Sequence, residues 1–561
     1  MALAFDFGTC NSVVARWNEA LNDIETPDLP NLGIFYPQPG SEPARVIPSV
    51  IHFDVESALL VGSQVDAAGV VNHPGTFRWL KMDMLRNGGA NRGRRVNGKV
   101  IYPRHAADEL VDRILMFVRG YFGDIDEEIV LTVPVEAFDH YIDWLREAAI
   151  KRFPGGITFI DEATACMLGY IDKVLDREAY CIVDFGGGTL DVSVVRTDLL
   201  RAGHAKCRIL GRAGEEIGGI MIDNWLLEHI QEEEGLTDDD IASIGPSLLE
   251  AIEQAKIAIS NGSEQASFTR YNDVTGRLIE VTLTSATLKE ALEKKREPDR
   301  NNLYQHIIRT LDRALDQARD RAGIRKEELK GIFLVGGSSL LPGIEEKIRE
   351  FFPLSDVHAG NPFEAIARGA CRYSGGIFDQ TLTHDYCLRS WNRELRDFEL
   401  VPVVPRGTPY ECHPSAKSGH QDVPVVPRGT PYPTGKPVCS KYIKAASDNQ
   451  ETLGLVIYER SSMSRPLITY VNGADGLRPV LEGEREESRH KPLNPEDSEF
   501  IHAIPPCRSG ERRFIAGFGV DSNRRLTLWL RDTEENNRSY IRLRDGSRLP
   551  LPVNDLPVVK L

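Results

Sequence analysis

Two segments of this chain, far apart, carry the same tip. Leu3-Ala4-Phe5 runs into Asp6-Phe7-Gly8-Thr9, and Cys181-Ile182-Val183 runs into Asp184-Phe185-Gly186-Gly187-Gly188-Thr189. Each continues into a second β-branched run, Val13-Val14-Ala15 and Val192-Ser193-Val194-Val195. Strand, tight polar turn, strand is the signature of a β-hairpin. A third apolar run, Ile332-Phe333-Leu334-Val335, ends on Gly336-Gly337. A helix should follow it, with Pro342 near its start and Ile344, Ile348 and Phe352 facing inward. One hairpin tip used twice, each time opening alternating strands and helices, predicts two related α/β lobes facing each other.

Such tips have a chemistry. Successive glycines and small hydroxyl residues expose several backbone N–H groups in one direction, which makes a cradle for an anion. Glycine also lets the backbone approach a phosphate with no Cβ in the way. Asp6 and Asp184, each ending a strand, place two carboxylates beside that cradle, and their natural task is to hold hydrated Mg²⁺. Neither tip is a P-loop, since no Gly-x-x-x-x-Gly-Lys-Ser/Thr occurs. A single glycine-rich turn is as readily an ordinary hairpin. Two tips and a strand–Gly-Gly–helix segment together are a far more specific signal.

At 561 residues the chain is too long for one core, and two to four domains are expected. Helical periodicity places Phe138, Tyr141, Ile142, Leu145 and Ala149 on one face, and Leu303, Ile307, Leu311, Leu315 and Ala318 on another. Strands and helices alternate to about residue 375. From Thr381 onward Pro, Gly, Arg and Asn separate short β-rich runs, which reads as a separate all-β domain. Within it Val401 to Tyr410 recurs unchanged at Val423 to Tyr432. Prolines this dense exclude a central strand, so a duplicated surface loop is expected. The net charge is −16, with acidic runs at Glu232 to Glu234 and Asp238 to Asp240 that read as a solvated loop. That balance argues against nucleic acid as a partner. No apolar run is long enough to span a bilayer, so no membrane partner is expected either. The start lacks the pattern of a signal peptide. Nine cysteines without a Cys-x-x-Cys pair suit reduced thiols and a cytoplasmic location.

In the two Asp-Phe-Gly tips, the strand–Gly-Gly–helix segment and further motifs, roughly residues 1–375 resemble the nucleotide-binding domain of the heat-shock protein 70 (DnaK-type) chaperones. The matching stretches are Asp6 to Ser12, Leu131-Thr132-Val133-Pro134, Ile160 to Ala165, Asp184 to Asp191, Ile217-Gly218-Gly219, Glu253 to Ser260 and Phe333 to Pro342. The resemblance implies a two-lobed actin-like α/β ATPase fold, with the second lobe from about residue 180. A linker over 376–392 and a smaller, mostly-β, sandwich-like domain over 393–561 would follow. It implies that ATP or ADP and Mg²⁺ bind between the lobes, with Asp6 and Asp184 holding the metal. Gly8, Thr9, Cys10, Asn11, Gly186, Gly187, Gly188, Thr189, Asp191, Gly218 and Gly219 would surround the phosphates. Glu253, Lys256 and Ser260 would meet the adenosine with Gly336, Gly337 and Ser338. Lys81 falls where the family has its catalytic lysine, given a one-residue gap, and Glu162 matches its active-site glutamate. Asp6, Lys81, Glu162, Asp184 and Thr189 are therefore the expected catalytic set, working by positioning and charge stabilisation. Free carboxyls titrate near 4, so metal holding and water orientation are expected of them rather than full proton abstraction. Hydrolysis should accordingly be slow. Pro134 matches a proline linked to interdomain signalling.

The chain also departs from the family pattern. Leu340 stands where an arginine often covers the adenine face, with Ile257 as the other flank, so cation–π stacking is lost. Ala163, Ile220 and Cys10 replace a proline, an acidic residue and a second threonine. The linker stretch from Gly376 to Tyr386 lacks the usual leucine cluster. Val425 to Thr434 and Ala446 to Gln450 are similar to the entrance strands of the peptide-binding domain, and Phe514 to Leu530 to its last hairpin. No helical lid is expected before Leu561. The reading is an ATP-hydrolysing chaperone of this family, coupling nucleotide state to a polypeptide client, with a nucleotide-exchange or J-domain co-chaperone as candidate partners. A filament-forming actin-like ATPase and a small-molecule kinase of the same superfamily are the alternatives.

Overall fold

A computed structural model describes residues 3–38, 42–54, 59–87, 93–96, 98–123, 128–135, 137, 139–200, 204–296, 300–373, 380–381, 385–392, 397–401, 431–432, 435–460, 468–473, 476–481, 490–494, 499–521, 525–534, 538–558 and 561. The chain divides into two compact units. The first comprises Met1–Val135, Trp144–Ile377 and Met463–Glu484, the second Glu136–Asp143, Phe378–Ser462 and Arg485–Leu561.

Two sheets on one plan organise the first unit. In the first, Leu3–Asp6 pairs antiparallel with Asn11–Asn18 and parallel with Ile129–Val133, which pairs parallel with Ile157–Asp161. Asp23–Glu25 extends the antiparallel side. In the second, Ala179–Phe185 pairs antiparallel with Leu190–Leu200, whose outer neighbour is His204–Glu215. On its other side run Leu329–Val335 and Asp356–His358, both parallel. The strand order third-second-first-fourth-fifth is thus the same in both. The twin hairpins expected from the repeated tips are the inner pairs of these sheets, and they bring Asp6 opposite Val13 and Asp184 opposite Asp191.

Helices cover the sheets where the periodicity put them. Ile129–Val133 is buried at every position, as a parallel strand covered on both faces must be. The helix Pro103–Phe122 turns Leu110, Ile114 and Val118 inward, with Pro103 in its first turn. The helix Asp139–Ile150 buries Tyr141, Ile142, Leu145 and Ala149; Phe138 lies outside the described residues. In the second lobe Leu303–Ala322 buries Leu303, Ile307, Leu311, Leu315 and Ala318. Its start is fixed by a capping box of Asn302 with Gln305, its end by Gly323 at φ 68. After the third glycine turn comes a 3₁₀ turn, Gly337–Leu340, then Ile344–Phe351 with Ile344 and Ile348 buried.

The acidic runs are not a solvated loop. Glu232 to Glu234 end the helix Gly219–Glu234, and Asp238 to Asp240 form the first turn of Asp238–Ser260. Three carboxylates favour a helix N-terminus, where backbone N–H groups point outward. Asp240 is buried and closes a capping box with Thr237.

The second unit is β-rich. Three four-stranded antiparallel sheets surround a core that includes Phe500, Ile501, Phe514, Phe518, Leu528 and Ile541. A buried ion pair, Arg513 to Asp532 at 2.7 Å, adds a fixed polar contact. Phe514–Val520 and Leu526–Asp532 form the expected hairpin, but strands Tyr540–Arg542, Arg548–Pro550 and Val553–Pro557 follow it. The expected linker at 376–392 is partly outside the described residues. Its latter part, Asp385–Asn392, is a strand paired with Asp397–Val401 and Ile457–Arg460. The duplicated proline-rich segment lies outside the described residues over 402–430. Among the described residues no helix is long and apolar enough to cross a membrane.

Candidate functional site: a cleft closed by two hairpin tips

The three glycine turns of the first unit meet. A Cβ on Gly187 would stand 2.4 Å from Cys10 Sγ, and one on Gly218 would stand 2.5 Å from the Gly187 backbone. Only glycine permits those two approaches. Gly186 O accepts from Ser338 Oγ at 2.8 Å and from Gly219 N at 3.1 Å, while Gly187 O accepts from Ile220 N at 2.9 Å. The segments therefore enclose one cavity of about 370 Å³, within the range of small-molecule sites. Gly8, Thr9, Cys10 and Asn11 line it from the first tip, and Gly186, Gly187 and Thr189 from the second. Gly219, Gly336, Gly337 and Ser338 complete that wall. Gly188, Asp191 and Gly218 do not line it. Gly188 packs against Thr9 and Met82, Gly218 against Gly187, and Asp191 lies opposite Asp184 in the ladder. The Cys10 thiol is pushed up to about 12, chiefly by burial and then by Glu253, so it is a neutral packing group.

One end of the cavity is crowded with carboxylates. Asp6 accepts from Thr132 Oγ1 at 2.5 Å, and Lys81 Nζ donates to Glu162 Oε1 at 2.7 Å. All four groups are buried, and Asp184 lines the same cavity. Burial pushes Asp6, Glu162 and Asp184 upward, and repulsion from neighbouring acids adds to it at Glu162 and Asp184. Lys81 opposes the shift in all three. The excess of negative charge fits a divalent cation. Among the described residues no three side chains form a metal cage. Mg²⁺ does not need one, because it keeps waters and takes one or two carboxylates with substrate phosphates. Asp6 and Asp184 are the carboxylates that fit that task.

The other end is built from paired charges and rings. Arg78 meets Glu253 at 2.5 Å, and Lys256 Nζ meets Asp223 Oδ1 at 2.7 Å while donating to Gly219 O at 3.0 Å. Glu253 and Lys256, expected to meet adenosine, thus line the cavity already engaged with protein partners. The Asp223 carboxyl stands at about 7, raised by burial against the pull of Lys256. Ser260, Ile257 and Leu340 line the same region. Tyr36 and Phe363 face each other there with ring centroids 4.5 Å apart.

Tyr36, Arg78, Asp223 and Phe363 belong to no motif and were missed from sequence. Tyr36 comes from an edge strand, Phe363 from the loop before the helix Ala365–Arg372. Arg78 could have been suspected from its neighbour Trp79 only with the structure in hand. Trp79 sits at φ 60, a left-handed conformation that costs a bulky residue on the order of 1–3 kcal/mol. This kink divides the strand carrying Arg78 from the helix carrying Lys81.

Known proteins resemble the chain over most of its length. The family model of the Hsp70 protein matches residues 85–463, over half of the chain. The chain belongs to the Hsp70 family. The family's fold is the two-lobed actin-like one, followed by a β-domain. Chaperone protein DnaK of Thermotoga maritima is 27% identical over 423 residues, covering 72% of this chain and 65% of the relative. The DnaK of Endomicrobium trichonymphae is 24% identical over 556 residues, covering 98% and 77%. That of Thermosipho melanesiensis is 26% identical over 377 residues, covering 66% and 58%. The chain therefore spans just under two-thirds of the length of the Thermotoga relative. The first hairpin tip and Lys81 lie ahead of the segment that the Hsp70 model matches.

Proposed function

We propose that this Hsp70 family member binds ATP with Mg²⁺ in the cleft, hydrolyses it slowly, and couples nucleotide state to polypeptide binding by its β-rich unit. The observation that carries the reading is the convergence of Asp6, Lys81, Glu162 and Asp184 at one end of a cavity walled by three glycine turns. Backbone N–H groups of the two tips would bind phosphate oxygens. Lys81 would set its positive charge against the transferring γ-phosphoryl group, and Glu162 would fix that lysine by their 2.7 Å contact. Asp6 and Asp184 would hold Mg²⁺, which would neutralise charge on the nucleotide's phosphates. Thr189 and Thr9 add hydroxyls beside the same oxygens. Glu162, held by Lys81, would help to orient the attacking water. Tyr36, Phe363, Ile257 and Leu340 would take the adenine with apolar and ring contacts. A polypeptide client, a co-chaperone and a cytoplasmic setting are parts of the same proposal, and membership of the family supports them. The test is phosphate release with ATP and Mg²⁺, joined to limited proteolysis with ATP, ADP and no nucleotide. Turnover with nucleotide-dependent cleavage over 376–400 supports the reading. Absence of turnover removes its enzymatic part, and identical cleavage in all three states removes the coupling.

A further inference from the structure

The helix Leu80–Asn87 carries Lys81 near its start and Arg86 in its last turn. Five residues turn a helix through roughly 140° beyond one full turn, so the two cations leave it on different sides. Lys81 reaches Glu162 of the first lobe. Arg86 reaches the second: its Nη2 and Nε donate to Glu216 Oε2 at 2.8 and 3.2 Å. Glu216 is 9% exposed, so this pair is shielded far more than a surface ion pair.

Glu216 stands where strand becomes turn. His204–Glu215 ends just before it, and Gly218 and Gly219 follow, packed on the second tip by the contacts to Gly186 and Gly187. Glu215, the last residue of the strand, is turned instead to a helix of the second lobe. It is held there by His306 Nδ1 at 2.9 Å, Arg309 Nη2 at 3.0 Å and Arg313 Nη1 at 3.3 Å, all from the helix Leu303–Ala322. Burial works to raise the Glu215 carboxyl, but His306 and Arg309 outweigh it and hold it below the usual range. Glu216 is thus fixed to a rigid support on one side and to Arg86 on the other. A second contact lies beside Lys81: a Cβ on Gly188 would stand 2.6 Å from Met82 Sδ. The lysine helix is therefore seated on the second tip at two points, an apolar one at Met82 and an ionic one at Arg86.

We infer that Arg86 and Glu216 are a positioning pair that seats the Lys81 helix on the second hairpin tip, so that Lys81 is presented to the γ-phosphoryl group only while both lobes hold that helix. The inference rests on the ATP reading for its consequence in turnover. Neither residue touches the nucleotide; both act through Lys81. The full chain carrying E216Q, R86Q or both is compared with wild type for steady-state ATP hydrolysis and for affinity of a fluorescent ADP. Misplacing a catalytic group by an ångström costs up to about 100-fold, and a partial loosening should lower kcat about ten-fold. ADP affinity stays within about two-fold, and the double variant is no slower than the worse single, as coupled residues require. R86K, which keeps the charge, retains most of kcat. Unchanged kcat in both singles, or multiplicative losses in the double variant, overturns the inference. Amine labelling of Lys81, read by mass spectrometry without nucleotide, separates this inference from the ATP reading. E216Q should label faster at Lys81 and equally at Lys256, and equal labelling at Lys81 overturns the pairing. Should the wild-type chain not hydrolyse ATP, the enzymatic reading falls while the labelling still decides whether Glu216 positions the helix.

Discussion

At one end of the cleft Asp6, Glu162 and Asp184 crowd round the ammonium of Lys81, whereas at the other Arg78 and Lys256 each meet a carboxylate of their own. The first arrangement is costly by itself, since burial raises every acid in it and like charge raises Glu162 and Asp184 further. It becomes favourable when a cation is added. The second is balanced as it stands, and joins chain segments far apart in sequence: Arg78 ends a strand of the first lobe and Glu253 lies on the helix Asp238–Ser260. One end is therefore suited to chemistry and the other to holding. A substitution confined to one end should leave the other largely unmoved, and that separation can be broken by experiment.

Asp184→Asn should give the largest effect. It removes a carboxylate proposed to hold Mg²⁺ and leaves the proposed nucleoside end intact. ATP turnover is expected to fall about 100- to 1,000-fold, the scale for loss of a preorganised charge-stabilising group, measured as phosphate release under saturating ATP. Fluorescent ADP should still bind in the variant, because Arg78, Lys256, Tyr36 and Phe363 are untouched. Turnover within a few-fold of wild type would dissolve the division between the ends.

The same variant should make the nucleotide-free protein more stable. Asp184 titrates higher in the fold than in the unfolded chain, where carboxyls lie near 4. The folded state then binds more protons above that value, so stability falls as pH rises from about 4 through the raised folded value. The neutral amide of the variant carries no such penalty. Its melting temperature should exceed that of wild type by about 1–2 °C at pH 8, for roughly 1 kcal/mol in a unit of this size, and the gap should close toward pH 4. A gap that grew on acidification would show that Asp184 is held as a favourable anion.

These two ends were not equally legible in the sequence. The wall proposed to face phosphate is made of contiguous glycine turns, because exposing successive N–H groups requires a run of particular residues. Asp6, Asp184 and the glycines could therefore be read from their neighbours, and the hairpins they close gave the sheet plan. Lys81 and Glu162 were reached through family resemblance rather than local pattern. The nucleoside end is assembled from single residues at scattered places in the chain, and nothing local marks Tyr36 or Phe363 as facing a cavity. The acidic run at Asp238 to Asp240 was misread because a helix start and a polar loop share composition. Only the return contact of Asp240 to Thr237 distinguishes them. The strand Asp385–Asn392 falls in the stretch expected to be linker because its pairing partners lie downstream, at Asp397–Val401 and Ile457–Arg460.

Arg78→Ala tests the holding end. Arg78 and Glu253 are each about one-fifth exposed, so solvent screening reduces their pairing well below that of a fully buried pair. A loss of about 1 kcal/mol is expected, or roughly five-fold faster release of fluorescent ADP in stopped-flow chase. Asn72 also reaches Glu250 on the same helix, so the lobes should not part altogether. The rate of phosphate release per bound ATP should change less than the release rate of ADP. A larger fall in hydrolysis than in nucleotide retention would mean that Arg78 serves the reacting end instead.

The smallest effect is expected from adding an unpaired charge at the holding end. Leu340 lines the cavity with Ile257, in the turn Gly337–Leu340. Leu340→Arg would place a guanidinium against the bound adenine, and stacking of that kind contributes about 0.5–1 kcal/mol where water still reaches it. ADP should bind about three-fold tighter by fluorescence titration, with kcat unchanged, since the contact is the same in ground and transition states. The added cation would also stand near a region whose acids are already matched, Glu253 by Arg78 and Asp223 by Lys256. If it instead drew Glu253 away from Arg78, release of ADP would quicken rather than slow. The sign of the change therefore reports whether the nucleoside end tolerates an unpaired charge.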